Sequence, residues 1–483
     1  MSAALIWIIL PGIAGLLMIL LRNSGPRLFL VSAVFSLVLT WIAWQIPIDS
    51  AMQLGPATLK ISSTLTILGR DFTILDNERP MIGLIFLSAT LWQLGGYLAR
   101  PTPLFIGISH IIVALLVAAL SVEPFLYAAM LIGIAVLVSV PLLSSPGKPP
   151  GAGLLRFITF QLFGIPFILF VGWLLTGVEA SPGNVSLVLR AGILLGLGFV
   201  FLLAVFPFHS WIPMLAREGH PYIVGFLLLF LSSVVSLFAL SFFDRFVWLR
   251  ETELVFQLLI AVGALVSLLG GTWVAVQNHL GRQMGYAIVY EIGLLLMALG
   301  LAGHQSVQLT FGLIIARSIA LLIWAIALSG LWQATDKSLI IGDLKRKATK
   351  HPFLLSGLVL AMFSFGGLPL TAGFAPKYAL LISVWVHSPL AGAATLIGSV
   401  GLVIGGLRIV FVLSSLQLLE QTSASDEPIL QDSSNELLSD IENPFAWLYL
   451  VVGGGLIVLI GLFPQLFFGN LASFLSVFSQ LSP

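Results

Sequence analysis

Gly366-Gly367-Leu368-Pro369-Leu370-Thr371-Ala372-Gly373-Phe374-Ala375-Pro376-Lys377 lies inside an apolar run that extends from 351 to 385. Three glycines and two prolines interrupt a helix here, because proline lacks the N–H donor and its ring clashes with the preceding turn. Irregular backbone at membrane depth is stable only where protein buries it or where it lines a wet cavity. A lysine beside such a break can change its proton affinity through desolvation and a movable partner, which is what a proton relay or cation path needs. The plainer alternative is a structural kink with a snorkelling lysine.

The rest of the chain sets this break in a membrane. Of 483 residues, 59% are hydrophobic and only 8% are charged. That is too few charges to cover a soluble protein of this size, so soluble, disordered and fibrous classes are excluded. The apolar runs are long and unbroken, unlike the alternating strands of a membrane barrel. With no cysteine, disulfides, thiolate catalysis, iron–sulfur clusters and cysteine zinc sites are excluded. There is no HExxH, no nucleotide loop and no basic run for nucleic acid, and the net charge is +1. We therefore expect no cofactor and no metal in this chain, and partners drawn from the lipid bilayer, protons or monovalent cations, and other membrane subunits.

Spans of about 20 residues predict an all-α polytopic membrane protein with fourteen transmembrane helices, at 3–22, 27–46, 81–98, 103–121, 124–143, 153–176, 188–206, 221–243, 253–275, 283–303, 307–333, 351–385, 389–418 and 444–463. The polar stretch 47–80, with Thr/Ile alternation near Leu59–Leu68, reads as an extramembrane hairpin. One set of alternating loops holds twelve Lys and Arg, among them Arg22, Arg27, Arg100 and Arg217; the other holds six. The richer side is cytoplasmic by the positive-inside rule, which places both termini and the hairpin outside. The segment 419–443 carries acids without Lys or Arg and reads as a solvated cytoplasmic linker. The tail at 464–483 is partly amphipathic and lies on the outer surface or on a neighbouring subunit.

Five ionisable side chains fall within spans and away from the first few residues at their ends: His110, Glu291, Arg317, Lys377 and Arg408. Charges near a bilayer centre are costly, so they face protein or water and often mark an ion path. Each has a plainer reading. Glu291 with Arg317 makes a buried pair that locks two helices, Arg408 snorkels from a span end, and His110 is a hydrogen-bonded core residue. A second break, Phe206-Pro207-Phe208-His209-Ser210-Trp211-Ile212-Pro213, closes the seventh span. It answers the break at Gly367, Pro369, Gly373 and Pro376 five spans later. Equivalent breaks in two halves imply two inverted five-helix repeats with broken helices 7 and 12. The divisions are then 1–80, 81–220, 221–418, 419–443 and 444–483.

These two motifs carry a resemblance. FPFHSWIP after span 7 and GGLPLTAGFAPKY in span 12 resemble the antiporter-like membrane subunits of respiratory complex I (the N, M and L types), within the Mrp antiporter superfamily. Residues 276–286, Val-Gln-Asn-His-Leu-Gly-Arg-Gln-Met-Gly-Tyr, resemble the loop before that family's tenth helix, and Leu407-Arg408-Ile409-Val410 its thirteenth. The resemblance covers about 80 to 463. It implies proton translocation by two half-channels, each working by the opening of a Lys–Glu pair. It also implies a place in a quinone-reducing, NADH dehydrogenase-like translocase of a bacterial inner or thylakoid-type membrane, as a subunit that itself holds no redox group. Where the family has ionisable groups in spans 5, 7 and 8, this chain has Ala128, Leu202 and Leu237. The nearest acid to span 5, Glu123, falls at the membrane surface. Lys377, Glu291 and Arg317 remain in the second half, with Arg408, His110 and His209 as further path candidates. The expectation is a degenerate N-terminal half-channel beside a retained C-terminal one. An Mrp-type cation/proton antiporter subunit and a non-conducting structural paralogue are the competing readings.

Overall fold

The computed structural model describes residues 1–54, 57–144, 147, 149–180, 185–335, 337–344, 351–423 and 444–481. Helices dominate, because an apolar chain in lipid must satisfy its backbone groups within each segment. A π-turn at Leu5–Ile9 leads into α1 (Leu10–Leu20), followed by α2 (Arg27–Gln45), α3 (Arg79–Ala99), α4 (Leu104–Ser121), α5 (Ala128–Leu143), α6 (Ala152–Ala180), α7 (Val185–Leu202) and the short α8 (Trp211–Glu218). The second half runs through α9 (Pro221–Arg245), α10 (Val247–Arg250), α11 (Glu253–Val276), α12 (Leu280–Leu299), α13 (Gly303–Ala334), α14 (Ile341–Leu344), α15 (Pro352–Gly366), α16 (Phe374–His387) and α17 (Pro389–Ser423). After it come α18 (Pro444–Leu462), α19 (Pro464–Phe468) and α20 (Ala472–Leu475). The acidic stretch lies largely outside the described residues, which omit 424–443.

Nine helices among the described residues are long and apolar enough to cross a membrane. That is fewer than the fourteen spans read from the sequence. The runs at 3–22, 188–206 and 351–385 are helical but cut short, giving Leu5–Leu20, Ser186–Leu202 and Pro352–Gly366. α9 and α13 form the centre; the apolar window of α9 is wholly buried, which fits a helix hydrophobic on every face. α11, α12 and α17 pack backbone to backbone through small residues: a Cβ on Gly271 would strike the carbonyl of Gly398, and one on Gly293 would meet Gly263 O at 2.6 Å.

The 47–80 stretch forms two hairpins rather than one. β1 (Ala51–Leu54) pairs with β2 (Ala57–Lys60), and β3 (Thr64–Ile67) with β4 (Arg70–Thr73). Leu68 and Gly69 both have positive φ, the two-residue turn that matches strand twist. β4 also pairs with β5 (Val122–Glu123). Glu123 is indeed at an exposed edge, held by both Nη atoms of Arg245 at 2.5 and 3.0 Å. The C-terminal tail packs on its own chain: Phe474 stacks on Phe311 at 4.4 Å, and Asn77 donates to Ser476 O at 2.6 Å.

Candidate ion-pair site at the interrupted helix

The site begins with the way α15 stops. Gly367 takes the left-handed conformation at φ 70°. Its N–H reaches Ser364 O at 3.1 Å, and Leu368 N–H reaches Phe363 O at 3.0 Å. This is the double closure in which a left-handed residue ends a helix. Any helix end leaves carbonyls without intrahelical donors. Here Lys377 Nζ supplies them, donating to Phe365 O at 2.5 Å and Ser364 O at 3.1 Å. Ser399 Oγ on α17 serves Gly366 O. The negative end of the helix dipole thus faces an ammonium, the favourable sense. Gly373 brings the chain back against the end of α15, donating to Ser364 Oγ at 3.1 Å. A Cβ on Gly373 would collide with Ser364 O.

The ammonium has an anionic partner as well. Lys377 Nζ lies 2.5 Å from Glu291 Oε1 on α12, with side-chain exposures of 9% and 1%. Arg317 on α13 is buried too and lies within electrostatic reach of both. Two cations and one anion in one apolar interior are costly unless each polar atom finds a partner. Arg317 Nη2 donates to Ser233 Oγ on α9 at 2.6 Å. Glu291 Oε2 and Arg317 Nε and Nη1 have no hydrogen-bond partner among the described residues. Groups of this kind are met by ordered water in folded proteins, so this cluster favours hydration.

The other expected residues fall elsewhere. Glu291 pairs with Lys377, not with Arg317 as the helix-locking reading had it. Arg408 stands apart from the Lys377–Glu291 pair: it binds Ala275 O and Gln277 O at 3.1 Å each, and Asn278 Oδ1, and so ties off the end of α11. His110 is a core residue that joins three helices, bonding Ser36 Oγ at 3.1 Å, Ile106 O at 2.9 Å and Gln93 Nε2 at 3.3 Å. His209 stands in the turn after α7, stacked on Phe206 at 5.7 Å. Pro213 and Pro376 do not break a helix. Each is the third residue of one, α8 and α16, where the missing N–H was unpaired anyway. The interruptions therefore fall at 203–210 and 367–373. Gly367, Pro369 and Gly373 lie in the second, Pro207 and His209 in the first. Ser233, Ser364 and Ser399 were missed by the sequence reading. Serine is common on buried helices, and only its distance from a charge singles it out.

Residues 183–405 match the model of the NADH:quinone oxidoreductase/Mrp antiporter transmembrane family. Solved structures share the whole fold. A chain of the archaeal membrane-bound sulfane sulfur reductase, a respiratory membrane complex, is 16% identical, with 100% of this chain and 98% of that one covered and a TM-score of 0.76. A chain of respiratory complex I from Thermus thermophilus with bound NADH is 20% identical over 99% of each, with a TM-score of 0.71. A chain of the Mrp complex from Dietzia sp. is 14% identical over 99% of this chain and 97% of that, with a TM-score of 0.77. The chain shares the fold of these membrane-complex chains.

Within this fold the two interruptions are treated differently. α7 ends as α15 does: Ala204 is left-handed at φ 53°, its N–H reaches Phe201 O at 3.2 Å, and Val205 N–H reaches Val200 O at 2.9 Å. The carbonyl that corresponds to Phe365 O is Leu202 O. Its donor is Gln161 Nε2 on α6, at 3.0 Å. A neutral amide thus fills the role that an ammonium fills in the second half. Ala128, Leu202 and Leu237 are all buried. Beside α7, a crevice of about 280 Å3 is lined by apolar side chains such as Leu195, Phe199, Phe242 and Leu259. Apolar cavities stay dry.

Proposed function

We propose that this chain is a proton-translocating, antiporter-like subunit of a complex I-type NADH or ferredoxin:quinone oxidoreductase, and that only its second half conducts. The observation that carries the reading is the Lys377–Glu291 pair at 2.5 Å, buried against the open carbonyl end of α15. Parting of the pair deprives the ammonium of its counter-charge, so it gives up a proton; closure lets it take one up. Glu291, Arg317 and Ser233 form the polar line along which that proton travels. α15 and α16 act as halves of one broken span, as do α7 and α8, in two inverted five-helix repeats of a fourteen-span protein. The matching helix ends at Ala204 and Gly367, and the matching prolines at 213 and 376, support the repeat. The two-to-one Lys/Arg bias supports termini on the outer side of a bacterial inner or thylakoid-type membrane. Protons are the first choice of cargo and monovalent cations the second.

The test uses the assembly in sealed vesicles. Lys377→Ala lowers coupled proton uptake toward the background leak; unchanged pumping rejects the reading. Co-purifying peripheral subunits with iron–sulfur clusters favour the oxidoreductase. A purely membranous assembly favours the Mrp-type reading, which draws on the fold match of 0.77. Absence of flux in the wild type favours a structural paralogue, a reading that the apolar first half supports in part.

A further inference from the structure

A cleft of about 380 Å3 opens between the α1–α2 and α3–α4 junctions. Arg22 and Arg100 stand in its wall with Gly25, Phe29, Tyr97 and Ile106, and no acid lines it among the described residues. Neither guanidinium has a carboxylate within 4.0 Å among the described residues. Arg100 is held at φ 46° where it ends α3, a conformation that glycine adopts far more cheaply. A strained backbone that places a charge at a cleft points to use of that charge. Both junctions lie at helix ends, the level of a bilayer's headgroups. On the helices that meet at the cleft, Leu20 and Leu21 at the end of α1 and Leu30, Val31 and Val34 on α2 are exposed. Two cations at a helix-end cleft with exposed apolar side chains on the same helices match a phosphodiester with acyl chains better than a soluble anion.

We propose that this cleft binds the headgroup of an anionic phospholipid. The phosphate sits between Arg22 and Arg100, with Tyr97 and Phe29 as walls and the acyl chains along α2. Basic pockets between spans on the positive-inside face attract acidic lipids by this combination of charge and apolar contact.

The experiment is native mass spectrometry of the full chain in detergent, with added phosphatidylglycerol or phosphatidylcholine. The wild type retains phosphatidylglycerol preferentially. Arg22→Gln and Arg100→Gln each reduce the preference about fivefold, and the pair about twenty-five-fold. The double Lys variant keeps most of it, so retention in that protein guards against loss by misfolding. Arg190→Gln, an exposed arginine on another helix, leaves it unchanged. Equal retention of the two lipids, full preference in the double Gln variant, or equal loss in Arg190→Gln would overturn the proposal. So would displacement of the lipid by millimolar inorganic phosphate, which would mark a free-anion site. An acidic protein segment filling the cleft in a map of the assembly would overturn it too.

Discussion

At Glu291 one carboxylate balances two buried cations, Lys377 and Arg317, and this asymmetry decides how substitutions behave. Removing one partner of a buried pair strands the other and costs about 3–5 kcal/mol. Glu291→Gln leaves two cations facing each other without an anion. Lys377→Met leaves Glu291 with Arg317, which a small side-chain shift can pair. We therefore expect Glu291→Gln to be the less stable of the two by thermal unfolding in detergent. The double variant Glu291→Gln/Lys377→Met should lie between them, since it leaves only one stranded cation. Equal losses in the single variants would mean that Arg317 does not sense Glu291. The partner choice was only half legible in the sequence. Cost alone predicts that Lys377, Glu291 and Arg317 face inward, but which cation takes the carboxylate depends on the carbonyls of Ser364 and Phe365. They are exposed by a helix end whose exact place the sequence does not print.

The helix ends themselves make the next predictions. Pro and Gly clusters told where apolar helices stop, but a proline in a first turn looks the same in sequence as one that breaks a helix. That is why the break read at 206–213 lies three residues earlier, at 203–210, and the one read at 366–376 ends three residues sooner, at 373. The shared left-handed residue is Gly367 in one half and Ala204 in the other. An L-residue pays about 1–2 kcal/mol there. Ala204→Gly should raise stability by about 1 kcal/mol and leave proton flux unchanged. Gly367→Ala should lower stability and flux together, because its Cβ would press on Lys377 Cδ at 3.2 Å. Loss of flux in Ala204→Gly would place the first half in the path. A pH effect belongs to the start of α12. His279 lies between α11 and α12, and its Nδ1 accepts from Gly281 N–H at 3.1 Å. Burial, with Arg217 and Arg282 beside it, pushes its pKa from 6.5 down to about 4. Folding thus disfavours its protonation, so the stability it lends is full above pH 6.5 and is lost as pH falls toward 4. His279→Asn keeps an acceptor at the cap without a titrating group. The wild type should lose more melting temperature than His279→Asn between pH 7 and pH 4; parallel loss would clear His279.

Across the whole molecule, α7 and α15 end in the same backbone closure and differ in what meets it. The second half has an ion triad with unpaired polar atoms, and so draws water. The first half meets the corresponding carbonyl with the neutral Gln161, and the crevice beside α7 is lined by leucine and phenylalanine. A proton path needs donors or waters at hydrogen-bond spacing across about 30 Å of hydrocarbon. Water in turn needs two to four polar partners, which Ala128, Leu202 and Leu237 do not offer. The sequence already spoke for this contrast through those three positions, but the substitution of an amide for an ammonium needed coordinates, because Gln161 comes from a neighbouring helix. Two outcomes follow for the intact assembly. Gln161→Leu strands the Leu202 carbonyl and costs about 1–3 kcal/mol of stability, yet leaves flux as it was. Lys377→Ala removes this subunit's whole contribution to proton movement, not half of it. Hydroxyl-radical labelling checks the same point without transport. Side chains around Lys377 should be modified by water-derived radicals, and those around Leu202 protected. Labelling of both halves alike, or half-retained flux in Lys377→Ala, would show a conducting first half.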